Sequence, residues 1–118
     1  MLDHTTLYVT DMARSKAFYE KALAPLGYKV YMEGEGYCGM GDERGPDLWL
    51  MPRENAASQH LGFRVTSEEQ VKAFYDAALA AGGTDNGAPG PRPHYGPDYY
   101  GGFIHDPDGH NIEAVVRK

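Results

Sequence analysis

HTTLYVTDMARSKAFYEKALAPLG (His4–Gly27) lies without a gap over HLGFRVTSEEQVKAFYDAALAAGG (His60–Gly83), at an offset of 56. Eleven of the twenty-four pairs are identical, among them His4/His60, Val9/Val65, Phe18/Phe74, Tyr19/Tyr75 and Gly27/Gly83. Chance at ordinary residue frequencies gives roughly one or two, so the chain reads as a duplicated module. The module ends match as well: GDERGPDLWLM (Gly41–Met51) lies over HDPDGHNIEAV (His105–Val115) at an offset of 64. The second module therefore carries eight extra residues, within its Gly/Pro-rich middle.

Each module reads as a strand, a helix and three strands. In the first, a strand at about Leu2–Val9 precedes a helix over about Met12–Ala24, capped by Thr10 or Asp11 and followed by Gly27. Strands follow at about Tyr28–Glu33, Tyr37–Gly41 and Asp47–Met51. In the second, a strand at about His60–Val65 precedes a helix over about Glu68–Ala81, capped by Thr66 or Ser67. Val71, Phe74, Tyr75, Ala78 and Leu79 give that helix an apolar stripe at helical spacing. Strands are expected near Thr84–Ala88, Tyr99–His105 and Asn111–Arg117. The expected fold class is α+β, two tandem βαβββ modules (about 1–55 and 58–118) in one domain of residues 1–118.

Composition limits the function. The formal charge of −6 offers no basic face for nucleic acid. A single cysteine, Cys38, excludes an intrachain disulfide and a cysteine-based zinc cluster. No apolar run resembles a signal peptide or is long enough to cross a membrane, so a cytoplasmic protein without membrane partners is expected. GEGYCG (Gly34–Gly39) satisfies a dinucleotide-binding pattern, but Gly41–Pro46 reads as a turn where the phosphate site needs a helix N-terminus.

Strand alternation sorts the side chains. Leu61, Phe63 and Val65 form one face of their strand, and His60, Gly62 and Arg64 the other. Ile112, Ala114 and Val116 separate in the same way from Glu113, Val115 and Arg117. Leu7 and Val9 separate from His4, Thr6 and Tyr8. His4, His60 and Glu113 thus share the face turned away from the helices, which a curved sheet gathers into a cavity. Two imidazoles and a carboxylate suit a divalent ion: Zn, Ni, Fe, Mn or Co. Glutamate is otherwise a poor strand residue and costly to bury. The plainer alternatives are half-buried polar histidines and a solvated Glu113. Arg64 on that face is a candidate for binding an anionic substrate, or a rim residue. Tyr8, Trp49 and Met51, together with Phe103, are candidates for a substrate wall, or for core packing at the module junction. His94, His105 and His110 read as surface or supporting residues, with His105 entering the site only if the register slips by one. The Gly83–Pro97 stretch reads as a lid, a dimerising edge or an ordinary loop.

The segments HTTLYVTDMARSKAFYEKAL, HLGFRV and FIHDPDGHNIEAV resemble the vicinal oxygen chelate superfamily, the group of glyoxalases, bleomycin-resistance proteins and extradiol dioxygenases. The resemblance implies a half-open barrel with helices on its convex side, a central metal, ligand roles for His4, His60 and Glu113, and a homodimer. Glyoxalase I places a metal-binding, proton-transferring glutamate where this chain has Trp49, which speaks against glyoxalase I proper. DLWLMP resembles a strand of the fosfomycin-resistance thiol transferases, whose catalytic threonine falls at Thr6. Their lysine, serine and potassium-binding loop have no match here. With no second carboxylate as base, Tyr8 becomes a candidate for moving a proton. The leading expectation is a metal-dependent lyase or isomerase whose small substrate chelates the ion. The alternatives are a metal-free protein sequestering a flat aromatic drug-like ligand, or a thiol transferase of the fosfomycin-resistance type.

Overall fold

A computed structural model describes all 118 residues. Its elements are β1 (Thr5–Val9), α1 (Met12–Ala22), β2 (Lys29–Gly34), β3 (Tyr37–Asp42), β4 (Gly45–Pro52), β5 (His60–Arg64), α2 (Glu68–Ala80), β6 (Thr84–Asp85), β7 (Gly90–Pro91), β8 (Tyr99–His105) and β9 (Asn111–Arg117). The fold is α+β, with two sheets that do not close on each other, a half-open barrel. One sheet runs β1-β4-β3-β2 and the other β5-β9-β8-β6, with β7 also on β8.

The duplication extends to register. β1 pairs in parallel with β4, setting Thr6 against Trp49. β5 pairs in parallel with β9, setting Gly62 against Glu113. Gly39 stands opposite Trp49 and Phe103 opposite Glu113 on the antiparallel sides. Each pair maps onto its counterpart by the two sequence offsets, so Trp49 and Glu113 are structurally equivalent.

Local chemistry sets the boundaries. Asp11 caps α1 by accepting the Arg14 N–H, and Ser67 caps α2 by accepting the Gln70 N–H. α1 stops at Ala22 rather than Ala24, because Pro25 lacks an N–H and the chain turns through a 3₁₀ helix over Ala24–Leu26. The GEGYCG stretch is a hairpin, with Glu35 and Gly36 at its tip. β1 begins at Thr5, leaving His4 just outside it. The strand expected near Thr84–Ala88 shortens to Thr84–Asp85, and the extra residues form β7 and the loop after it.

Helices and sheets share one apolar core. Leu7, Phe18, Tyr19 and Leu50 from the first module meet Val71, Phe74, Ile104 and Ile112 from the second, all essentially inaccessible to solvent. The modules are also joined along the outer edge of β1. The Gln59 amide donates to the Thr6 carbonyl and its oxygen accepts the Tyr8 N–H, both at 3.1 Å. His110 Nε2 donates to the Tyr8 carbonyl at 2.7 Å, and Nδ1 accepts the Gln59 N–H at 2.9 Å. Side chains of the second module thus stand in for a neighbouring strand and satisfy an edge that would otherwise be open.

Candidate functional site

Glu113 lies in the middle of β9, buried to 5 % exposure. A carboxylate in such a place needs partners, and it has two. His60 Nε2, from the start of β5, lies 2.6 Å from Oε1. The Tyr99 hydroxyl, from β8, donates to Oε2. The parallel β5–β9 register brings His60 and Glu113 to the same sheet face, and the antiparallel β8–β9 register adds Phe103 directly beside Glu113. Burial, followed by the neighbouring carboxylate, pushes the Tyr99 phenol up to about 12, and Arg117 offsets part of that rise.

The sign of that shift fixes an expected result. Tyr99 keeps its proton in the folded protein over a range where a free phenol, at about 10, begins to ionise. Its contribution to stability is fully present below pH of about 10 and is lost as pH rises from there through about 12. In an absorbance titration of phenolate formation, Tyr99→Phe should remove one late-titrating tyrosine. Loss of an early-titrating one would contradict the Tyr99–Glu113 bond.

His60, Glu113, Tyr99 and Phe103 line a cavity of about 800 Å³, with Arg92, His94, Tyr95 and Arg117 on its other sides. All of its lining comes from the second module, from His60 to Arg117. His4 is elsewhere. It is exposed, its Nδ1 is bonded to Asp3 at 2.7 Å, and it lines a separate inter-module cleft that also reaches His60. Donor atoms of His4, His60 and Glu113 do not gather within 4.8 Å of one another in a single chain. Arg64 also lines that cleft and not the Glu113 cavity.

The first-module residues occupy the matching face of the other sheet. Trp49 lies over Gly39, where a Cβ would come within 2.7 Å of the indole, and its ring centre is 6.2 Å from that of Tyr37. Tyr8 is covered by the Arg53 guanidinium, 3.8 Å from its ring centre. Thr6, Tyr8, Trp49 and Met51 are partly exposed, and none lines the Glu113 cavity. His60 and Glu113 thus stand on the open face of one sheet, and Thr6, Tyr8 and Trp49 on that of the other.

Asp106, Asp108 and His110 are the one cluster whose ligand atoms lie within 4.8 Å of one another. Their bonding is already committed. Asp106 accepts from the Tyr19 hydroxyl and from the Asp108 and His110 N–H groups. Asp108 accepts from Thr10, Arg14 and Ser15, and both His110 nitrogens are engaged. This DPDGH turn fastens α1 and β1 to the second module. Sequence reading placed His110 at the surface or in support of the site, yet it is fully buried at the module junction. Tyr99, Arg92 and Arg117 were passed over as site residues. Strand alternation already set Arg117 on the Glu113 face, and the β8–β9 register carries Tyr99, opposite Arg117, to that same face.

Paired βαβββ modules whose sheets form a half-open barrel are the architecture of glyoxalase-like proteins. This chain belongs to the Glyoxalase/Bleomycin resistance protein/Dioxygenase superfamily, whose family description matches residues 1–114. A glyoxalase/bleomycin resistance protein from Albidiferax ferrireducens T118 is 30 % identical, superposes with a TM-score of 0.85 and is covered over 98 % of both chains. A lactoylglutathione lyase from Agrobacterium tumefaciens shares the fold at 20 % identity and a TM-score of 0.74, over 98 % of this chain and 92 % of that one. A family enzyme from Burkholderia phytofirmans PsJN does so at 19 % identity and 0.77, over 99 % and 98 %. No curated protein matches the sequence. No helix is long and apolar enough to cross a membrane.

Proposed function

We propose that this protein is a metal-dependent enzyme of the lyase or isomerase type, acting on a small substrate with two neighbouring oxygens. The observation that carries this reading is the His60–Glu113 pair. A buried carboxylate and an imidazole nitrogen 2.6 Å apart face an open cavity rather than a packed core. Borderline nitrogen with hard oxygen is a donor set for Zn, Ni, Fe, Mn or Co. The reading assigns the third donor to His4 of the partner subunit in a homodimer; His4 is exposed and apart from the other two within one chain, as a ligand shared across an interface would be. Such an ion supplies Lewis acidity toward a substrate oxygen.

The chain's own residues then have distinct tasks. Tyr99 orients Glu113 through Oε2, and Oε1 faces His60 Nε2, so these two side chains would hold the ion together. Phe103 and Tyr95 wall the substrate. The partner's Trp49 and Tyr8 close the other side, and Thr6 or Tyr8 handles the proton, since no second carboxylate faces the cavity. Trp49 cannot serve as a fourth ligand, because its indole N–H only donates, so coordination positions stay open for substrate.

Elemental analysis of protein purified without a histidine tag or chelator tests the reading. About one divalent ion per chain is expected in wild type, by the three-donor requirement of an open site. His60→Ala and Glu113→Gln should each lose it, while His94→Ala keeps it. Trp49→Glu should add a carboxylate and tighten metal binding. A Glu113→Gln variant that retains full metal would remove the basis of the site.

The aromatic lining supports a second reading. His94 and Tyr95 lie 4.2 Å apart and Tyr95 and Tyr99 5.2 Å apart, between ring centres, along one side of the cavity. A metal-free protein with this lining would trap a flat ligand, and quantitative absence of metal together with tight aromatic binding would select it.

A further inference from the structure

The eight extra residues of the second module have a physical product, a pedestal for Arg92. Its Nη1 donates to the Gly90 carbonyl at 3.0 Å and to the Pro91 carbonyl at 3.4 Å, and its Nη2 to the Ala88 carbonyl at 2.8 Å. The guanidinium fits against the loop because two glycines leave room for it. A Cβ on Gly87 would stand 3.1 Å from Nη2, and one on Gly90 3.2 Å from Nη1. Below it lies the Phe103 ring, 5.3 Å from Cζ to centre. The equivalent stretch of the first module, β2 and its hairpin, builds nothing of this kind.

This fixed cation has no counter-charge. No carboxylate pairs with Arg92 or with Arg117, although both line the Glu113 cavity. Arg117 rests over Tyr99, 4.9 Å from Cζ to ring centre. Glu113 is the only acid in the lining and is already held by His60 and Tyr99. In a chain of net charge −6 the cavity thus gathers two guanidinium groups against one carboxylate. Low-dielectric walls strengthen the pull of such charges on an anion.

We infer that Arg92, with Arg117 facing the same cavity, anchors a carboxylate of the substrate, set apart from the oxygen pair at the His60–Glu113 end. This rests on the reading of that end as the metal centre. A guanidinium has five N–H groups, and Arg92 makes three bonds to its own loop. The two that remain are enough for one fork, which matches the two oxygens of a carboxylate. The substrate is therefore a small acid with an aromatic or otherwise flat body lying against Tyr95, Tyr99 and Phe103. Arg64, the anion-binding candidate from sequence, belongs to the other cleft.

Calorimetric titration with 3,4-dihydroxybenzoate and with catechol tests this, since the two share the oxygen pair and ring and differ in the carboxylate. Cobalt uptake is read separately from its visible absorption, and both titrations are run on cobalt-loaded and metal-free protein. Wild type should bind the carboxylate compound roughly tenfold or more tightly than catechol, the scale of a charge-assisted fork. Arg92→Ala should erase that preference, bringing the two affinities together. Arg92→Lys should lose most of it, because an ammonium cannot hold three carbonyls and still present a fork. A preference that depends on Arg92 in protein that takes up no cobalt would sustain the anchor and sink the metal reading. Stoichiometric cobalt with the same preference in wild type and Arg92→Ala would do the reverse. Absence of measurable 3,4-dihydroxybenzoate binding to either form would also overturn the anchor.

Discussion

Co-expressed His4→Ala and Glu113→Gln chains should regain a metal site that neither variant has alone. Each homodimer lacks one donor in every site, so each binds almost no metal. In a mixed dimer the His4 of the Glu113→Gln chain meets His60 and Glu113 of the His4→Ala chain, and one of the two sites is whole. Random assortment makes half of the dimers mixed, so metal content should return to about one quarter of wild type, by the symmetry of an isologous pair. The structure motivates this result directly. His60 and Glu113 occupy a cavity lined by the second module alone, while His4 is exposed and bonded to Asp3. If each site instead drew all three ligands from one chain, every site in the mixture would carry a defect. Metal in the mixture no higher than in either parent would rule out the shared site.

The duplication was legible because it leaves identical residues at fixed offsets, and it extends to register: Thr6/Trp49 and Gly62/Glu113 occupy the same place in their sheets. Alternation also set His60 and Glu113 on one face, since a parallel pair in register keeps its side chains aligned. Alternation says which face of its own strand a residue takes. It does not say that the faces of two separate sheets look into one cavity. His4 illustrates the limit: its strand position matches that of His60, yet it lies outside β1 and apart from Glu113. Arg92 was hidden for another reason. Its placement depends on carbonyls and glycines of an irregular loop, and such a loop has no period to read.

The junction residues were hidden because they look like something simpler. Asp106-Pro107-Asp108-Gly109 reads as a turn, and it is one: the Asp106 carboxylate accepts the Asp108 and His110 N–H groups, and Gly109 takes a φ of +85°. The sequence does not display that Asp106 also accepts the Tyr19 hydroxyl, or that Asp108 reaches Thr10 and Arg14, residues far away along the chain.

Asp106→Ala should cost the protein about 3–5 kcal/mol, the largest stability loss expected from a single polar residue here. Asp106 is 4 % exposed and Tyr19 is fully buried. Removing the carboxylate leaves the Tyr19 hydroxyl and two backbone donors without an acceptor, at roughly 1–3 kcal/mol for each donor that water cannot reach. Asp106→Asn should cost only about 1–2 kcal/mol, because its amide oxygen still serves the turn and its NH₂ can donate to the Tyr19 oxygen. The contrast separates an acceptor role from a charge role. Burial and then the neighbouring Asp106 carboxylate hold the Tyr19 phenol well above its ordinary value, so it remains a donor throughout neutral pH. Its share of the stabilisation is fully present below about pH 10 and fades only as pH rises beyond that. Urea denaturation at neutral pH measures all three proteins. Equal losses for the alanine and asparagine variants would mean that the charge, and not the acceptor, holds the two modules together.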